Sequence, residues 1–527
     1  MIGGAAARGD RPAIVDGATG RMTSYGELAA RVDRVAAGLQ AEGIGAGEVV
    51  ALIGANSTEW AIAYHAILRA GAVVTPLNPL LTPEEVGKQL LDSGSVALIA
   101  MPQLIPSLTG TAIHDGIGRV WSLGPADDAD DAIELGEPGA TPEDVGVDPE
   151  DLAVLPYSSG TTGLMKGVML THRNLVANIE QAWTSMPIAE EDTLVGVLPF
   201  FHSYGQTVVL NLGLSKGATI VTMARFDLDG LLDILERHRV TWLHIAPPVV
   251  LAFATAPEVE GRDTSALKMV ISGAAPLDED LAKRAEERIG APIRQGYGMT
   301  ELSPVSHKSR LADAAETPPG SIGPLIPNTE ARLVDPATLA DVPEGRAGEI
   351  WVRGPQVMRG YLNNRRATEE TLIGDGWLRT GDIGRVDERG YFYIVDRLKE
   401  LIKYKGYQVA PAELEAVLVS HPKVRDAGVI GVPMEDGGEA PKACVVCDGG
   451  LDIEELIAYV AERVAPYKRI REVERVEEIP KSASGKILRR LLREEHGGAR
   501  APRGRTATGA SSASRGARRS RGAPRGG

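Results

Sequence analysis

The chain has 527 residues, 43% hydrophobic and 24% charged, with a formal net charge of −15; it reads as a folded protein long enough for two or three domains. No apolar run approaches the roughly 20 residues of a membrane span, and 1–10 lacks the apolar core of a signal peptide, so a cytoplasmic protein without a membrane span is expected. Residues 497–527 hold eight arginines and no acid, so the rest carries −23 against −15 overall, an acidic body that argues against nucleic acid as its substrate.

In chain order, residues 49–53 are predicted as a strand, 59–69 as an amphipathic helix, 71–78 as a strand running into a loop, and 96–100 as another strand. The acidic, Pro/Gly-rich stretch near 125–151 reads as a surface loop. Strands follow at 152–157, 218–223, 240–245 and 267–271, with helices at 229–238 and 278–289. This alternation implies an α/β fold of layered, mostly parallel sheets, whose ligands belong at the carboxyl ends of strands. A smaller α+β unit begins near Asp396: a helix at 410–421 with Pro411 at its start, strands at 429–432 and 443–447, and a helix at 453–464. The expected organisation is a body (1–395), a small mobile lid (396–496) and a disordered Arg/Gly/Ala/Ser-rich tail (497–527). For the tail, weak electrostatic attachment to nucleic acid or an anionic surface is the minor alternative.

The two cysteines, Cys444 and Cys447, form a C-x-x-C pair. Positions three apart on a strand face opposite sides, so two buried strand thiols are expected rather than a metal or redox site.

The segment Tyr157-Ser-Ser-Gly-Thr-Thr-Gly-Leu-Met-Lys-Gly-Val-Met-Leu-Thr-His172 has the makings of a phosphate cradle. Gly160 and Gly163 free the backbone for close approach. Ser158, Ser159, Thr161 and Thr162 offer hydroxyls, loop N–H groups can form an anion nest, and Lys166 adds a positive charge. A strand, this loop and a helix opening at Thr171 are expected in that order. The spacing is not that of the Walker loop. Gly/Ser/Thr stretches are more often linkers, but the apolar flanks and further motifs weigh against that here.

Those motifs are Leu198-Pro-Phe-Phe-His-Ser-Tyr-Gly205, Ser272-Gly-Ala-Ala-Pro-Leu277, Gln295-Gly-Tyr-Gly-Met-Thr-Glu301, Gly348-Glu-Ile-Trp-Val-Arg-Gly354, Trp377-Leu-Arg-Thr-Gly-Asp382, the run from Val395 through Lys399-Glu-Leu-Ile-Lys-Tyr-Lys-Gly-Tyr-Gln408, and Pro480-Lys-Ser-Ala-Ser-Gly-Lys-Ile-Leu488. With the loop, they stand in the order seen in adenylate-forming enzymes, the superfamily of acyl-CoA synthetases, adenylation domains and luciferases. The chain resembles that superfamily from about Arg11 to about Arg493. His202-Ser-Tyr204, the Lys399–Gln408 run and Val464-Ala-Pro-Tyr-Lys-Arg469 make it most similar to bacterial 4-coumarate–CoA ligase-like enzymes.

The resemblance implies an ATP-dependent acid–CoA ligase that forms an acyl-adenylate and pyrophosphate, then acyl-CoA and AMP, using ATP, Mg2+ and coenzyme A. Ser158, Ser159, Gly160, Thr161, Thr162 and Lys166 would hold the β- and γ-phosphates; Met165 stands where proline is usual. Thr300 and Glu301 match the α-phosphate and Mg2+ positions, although a helix N-terminal acid is the plainer role for Glu301. Asp382 and Arg397 resemble the ribose contacts; a turn residue is the plainer role for Asp382. Ala274, Ala275, Gln295, Gly296 and Tyr297 resemble the adenine wall. Lys486 resembles the lysine of adenylation. For thioesterification, Lys399 matches the hinge, Lys403 and Gln408 the residues that meet the adenylate after the lid rotates, and Lys405, Gly406 and Arg225 the CoA contacts. For all four lysines a solvated edge is the default reading, which only the motifs reverse.

The acid pocket is read from His202, Tyr204, Gly273, Gly298, Met299, Pro304 and Val305. Small glycines beside Tyr204 leave a slot for a planar ring, and the tyrosine hydroxyl could meet a para-hydroxyl. Ser303 stands where Gly is common, which leaves the pocket depth open. The expected substrate is 4-coumarate or a related aromatic acid. A medium-chain fatty acid, or a stand-alone adenylation enzyme loading a carrier protein, is the alternative. Amino-acid activation lacks its usual acidic partner near His202. A luciferase-like oxygenase would share the motifs, and a non-catalytic nucleotide sensor would not need Lys486, Lys403 and Glu301. No obligate protein partner is implied.

Overall fold

The computed structural model describes residues 2–109, 117–158, 165–398, 400–404, 407–434, 439–447, 450–481 and 485–497. Among them, two eight-stranded sheets carry the body. The first runs Val305–Lys308, Ile293–Gly298, Met269–Ser272, Trp242–Ile245, Thr193–Gly196, Thr219–Thr222, Pro12–Asp16, Met22–Ser24. Its inner strands pair in parallel and its two edges antiparallel. The second is built on Lys166–Thr171, Leu152–Val154, Val73–Leu77, Val49–Ile53, Ser95–Ala100 and Arg119–Ser122. Strands such as Val49–Ile53 read as unbroken Val/Ile/Leu/Ala because both faces are covered.

Two helices fill the space between the layers. Thr58–Arg69 is capped by Ser57 and buried from Trp60 to Leu68. Its Trp60 stacks on Tyr64 at 5.3 Å and packs against Phe200. The other, His172–Ser185, is capped by Thr171. It buries amides that donate to loop and strand carbonyls: Asn174 to Pro355 and Val357, and Asn178 to Val305 at 2.8 Å. These bonds satisfy buried backbone groups and tie the second half of the body to the strand that closes the first sheet.

A five-stranded sheet around Gly348–Arg353 and Trp377–Val386 completes the body. The smaller C-terminal domain packs helices Pro411–Val419 and Ile453–Ala461 on the sheet Val424–Pro433, Glu439–Cys447, Glu472–Arg475. Its strands run longer than the sequence suggests, because cross-strand pairing carries polar residues such as Asp426 and Lys442 into the ladder. Cys444 packs with Ile430 and Leu492, and Cys447 lies against the core on the opposite face. Burial pushes the Cys444 thiol up to about 11, leaving it unreactive. No helix among the described residues is long and apolar enough to cross a membrane.

The helix expected to open at Thr171 does so, as His172–Ser185 capped by Thr171, and a strand lies between it and the Gly/Ser/Thr loop. Tyr157–Ser158 pairs antiparallel with Lys166–Gly167, so the loop is the tip of a hairpin. Lys166–Thr171 is a strand, and the helix capped by Thr171 begins at that strand's far end. The run Val-Met-Leu-Thr is strand-forming by β-branching and apolarity.

Candidate active site

The site gathers at the carboxyl ends of the first sheet's strands. Ile293–Gly298 delivers Tyr297, whose hydroxyl donates to Asp382 Oδ2 at 2.6 Å. Asp382 is buried, and Thr380 Oγ1 accepts from its backbone N–H. The backbone of Asp382 stands in register with Arg397, so the two ribose candidates lie side by side on neighbouring strands. Gln295 turns its amide inward: its oxygen accepts from Leu277 N and its nitrogen donates to Pro319 O at 2.7 Å. The oxygen thus fastens the loop at 273–277 and the nitrogen fastens the segment at Pro319. Ala274 on that loop is exposed with φ +72°, outside the usual range for a side-chain-bearing residue.

Beyond Gly298 the chain turns sharply. A Cβ on Gly298 would lie 1.9 Å from Pro304 O, so only glycine fits. Met299 N donates to that same carbonyl, and the single turn Thr300–Leu302 presents Glu301. Glu301 is 4% exposed, and its Oε1 accepts from Ser158 Oγ at 2.9 Å and from Tyr361 OH at 2.8 Å. Lys166 Nζ sits 4.6 Å from the centre of the Tyr361 ring. Loop lysine, loop serine and turn carboxylate therefore converge from segments more than 130 residues apart. Tyr361, which joins all three, was not singled out in the sequence; it carries no local signal.

The acid side lies next to this. His202 Nδ1 accepts from Tyr204 N at 3.2 Å, which leaves the ring proton on Nε2 as a donor. Burial lowers its pKa to about 4, so the ring is neutral at neutral pH. Tyr204 opens a π-helical turn, Tyr204–Asn211, a form that recurs at functional sites. Its ring lies so close to Gly273 that a Cβ there would stand 2.7 Å from Cε1. The Tyr204 hydroxyl donates to Ile271 O at 3.3 Å, so in this structure it is turned to the strand. Ser303 Oγ donates to Gln356 O at 2.8 Å; its hydroxyl is drawn away into the body. Pro304 and Val305 follow, Val305 buried. Gly296 faces Lys308 across the edge pairing.

The lid reaches the same place. Gly485, with φ +79°, packs on Pro248 and Ala246 at the end of strand Trp242–Ile245. Gly273 N donates to Ile245 O on that strand. Lys486, half-buried, follows directly on Gly485. Its position is anchored from behind: Arg489 is 9% exposed and pairs with Glu415 and Glu400. Arg225 lies exposed past the end of Thr219–Thr222. Ser159, Gly160, Thr161, Thr162, Lys399, Lys405 and Gly406 lie outside the described residues, as do the side chains of Arg397, Lys403 and Gln408. The backbones of Lys403 and Gln408 face each other in the hairpin Ile402–Tyr404 with Tyr407–Val409.

The sequence profile described as AMP-binding enzyme matches residues 4–362, and that described as AMP-binding enzyme C-terminal domain matches 413–486. The chain belongs to the AMP-binding enzyme family. Among its relatives is 4-coumarate–CoA ligase 5 of Oryza sativa subsp. japonica, 44% identical over 499 residues and covering 92% of each chain. Two solved members of the family share its fold. ATP-bound MatB from Rhodopseudomonas palustris is 32% identical with a TM-score of 0.85, over 92% of this chain and 96% of that one. The anthranilate CoA ligase AuaEII in complex with anthranoyl-AMP is 27% identical with a TM-score of 0.83, over 93% and 95%.

Proposed function

We propose that this AMP-binding enzyme is an ATP-dependent acid–CoA ligase acting on 4-coumarate or a closely related aromatic acid. The observation that carries the reading is that Gly485, the residue before Lys486, stands against Pro248 and Ala246, just past the carboxyl end of strand Trp242–Ile245.

In the first step a carboxylate oxygen of the acid attacks the α-phosphorus of ATP. The new acyl–phosphate bond forms as the bond to pyrophosphate breaks. Lys486 sits where its ammonium offsets the negative charge shared by the carboxylate and the α-phosphate. Neutral His202 donates from Nε2 toward the acid without adding charge, and Thr300 offers a hydroxyl to the α-phosphate. Lys166 and the loop 158–162 hold the leaving phosphates. Tyr297 and Asp382 hold the nucleoside, with Arg397 beside them and Ala274 and Gly296 lining the base. Alignment supplies much of the rate, since no side chain is covalently engaged.

Mg2+ fits the Glu301 corner. It is bound through one or two carboxylates together with phosphate oxygens and water rather than by an all-protein cage. No group of three or more His, Cys, Asp or Glu that could hold a metal occurs among the described residues, and Glu301 with Ser158 offers the hard oxygen donors required. When bound, the ion neutralises phosphate charge.

In the second step the CoA thiolate attacks the acyl carbonyl and AMP leaves. The lid, proposed as 396–496, turns about Lys399. It withdraws Lys486 and brings Lys403 and Gln408 to the adenylate, with Lys405, Gly406 and Arg225 toward CoA. The protein is proposed as cytoplasmic, with no nucleic acid bound by its body and no obligate protein partner.

The test is pyrophosphate release over 4-coumarate, cinnamate, benzoate, octanoate and palmitate, with and without CoA. CoA-dependent turnover favouring the cinnamates is expected. A preference for octanoate overturns the acid class, and release without thioester formation overturns CoA as acceptor.

A further inference from the structure

Lys308 ends the edge strand Val305–Lys308, opposite Gly296, and is 2% exposed. Its Nζ donates to the Met186 thioether at 2.9 Å, a weak acceptor; no carboxylate pairs with it among the described residues. Burial brings its pKa down to about 7. His244, fully buried, stands in register with Ile271 on the adjoining strand, and neither of its ring nitrogens has a partner among the described residues. Burial and the nearby Lys308 charge hold its pKa well below the usual histidine range. The His244 ring meets Tyr204 edge-on at 5.8 Å. A row of polar groups, Tyr204, His244 and Lys308, thus runs inward from the acid side through a face otherwise made of Ile271, Met269 and Leu194.

Packing does not account for this row. Buried polar groups are ordinarily hydrogen-bonded, and an unpaired buried ammonium is strongly unfavourable where an apolar side chain would pack well. Groups kept in that condition are suited to a ligand that satisfies them.

We infer that Lys308, with His244 beside it, determines specificity by receiving the phenolic hydroxyl at the far end of a para-hydroxylated aromatic acid. The inference rests on the aromatic-acid reading above. A phenol both donates and accepts, so it can bond an amine and an imidazole together without bringing a second charge into the core. A second carboxylate would bring one. Tyr204 lies directly against Gly273 in this structure, so the planar slot expected between them is closed and a flat ring enters only when the tyrosine side chain turns away.

The test compares kcat/KM for 4-coumarate, cinnamate and 4-carboxycinnamate in the natural protein, Lys308→Met and His244→Phe, after thermal melts on all three proteins. In Lys308→Met the preference for 4-coumarate over cinnamate is expected to fall by at least about tenfold, as when a site built for a hydroxyl loses its partner. Cinnamate turnover is retained, and the melting temperature holds or rises as the buried ammonium is removed. His244→Phe, which leaves the lysine in place, lowers the same ratio less. An unmoved ratio, or a loss shared equally by both acids, overturns the role of Lys308. Preference for 4-carboxycinnamate overturns the phenol. Turnover of octanoate with neither cinnamate accepted overturns the aromatic-acid reading, and the inference with it.

Discussion

Gly485 of the lid rests on Pro248 of the body: a Cβ at Gly485 would stand 3.2 Å from the proline ring and 3.4 Å from Ala246 Cβ. Gly485 also holds φ +79°, where a side chain is strained. On the proposed function, this contact belongs to the lid pose that brings Lys486 to the acid. Gly485→Ala is therefore expected to slow pyrophosphate release while sparing thioester formation from supplied 4-coumaroyl-adenylate. Equal loss in both half-reactions would mean that the glycine serves the fold rather than the pose.

Lys486→Ala removes the cation from the same place. Adenylation is expected to fall by at least about a hundredfold, as when a preorganised charge-stabilising group is lost. Conversion of supplied acyl-adenylate to acyl-CoA is largely spared. Single-turnover measurements separate the two steps, and normal adenylation in this variant would sink the assignment.

Tyr361 donates to the Glu301 oxygen that also accepts from Ser158. Tyr361→Phe keeps the ring under Lys166 but deletes one charge-assisted hydrogen bond, a loss of roughly 1.5–3 kcal/mol where nothing replaces it. Adenylation efficiency is expected to drop about tenfold or somewhat more, with a higher Mg2+ requirement. Titration of Mg2+ against rate checks this; an unchanged curve would place the Mg2+ elsewhere.

Buried histidines, His65 and His307 as well as His202 and His244 of the site, make stability pH-dependent. Burial lowers His65 to about 4 and His307 to about 3. Both stay neutral in the folded protein while the unfolded chain protonates near 6.5. Below 6.5 the unfolded state binds more protons, so their contribution is intact above 6.5 and is lost progressively as pH falls toward 4 and then 3. Calorimetric melts from pH 8 to 4 should show the melting temperature falling below about 6.5, less steeply in His65→Gln. A slope unaltered by that substitution would assign the acid sensitivity to other groups.

The helix Arg489–His496 buries Leu492, and His496 pairs with Glu474 at 2.9 Å. A chain ending at Gly497 keeps these contacts and loses only the eight arginines that follow. Its pyrophosphate release is expected to match that of the full chain. A large loss would make the Arg-rich segment part of the working enzyme.

The α/β class and most of the strands were legible because fully buried parallel strands write themselves as runs of Val, Ile and Leu. Residues 49–53 are predicted and observed with the same bounds. The neighbourhood of Ser158, Glu301, Asp382 and Lys486 was legible only through motifs, since nothing about a lone lysine in Ser-Ala-Ser-Gly-Lys distinguishes it from surface. The hairpin after Tyr157 was not legible, because an apolar run bounded by glycine does not say whether it pairs as a strand or winds as a helix.

By itself, then, the sequence determined the secondary-structure alternation, the family and the residue types offered to phosphate, ribose and acid, for these depend on local periodicity and short motifs. Only the tertiary structure decided that Tyr361 bridges the loop lysine to Glu301, that Tyr204 turns its hydroxyl to Ile271, and that Gly485 rests on Pro248. It also decided that Lys308 is buried with no carboxylate partner among the described residues. Burial and partnership are set by segments far apart in the chain, and no local pattern encodes which side chain will lose its water.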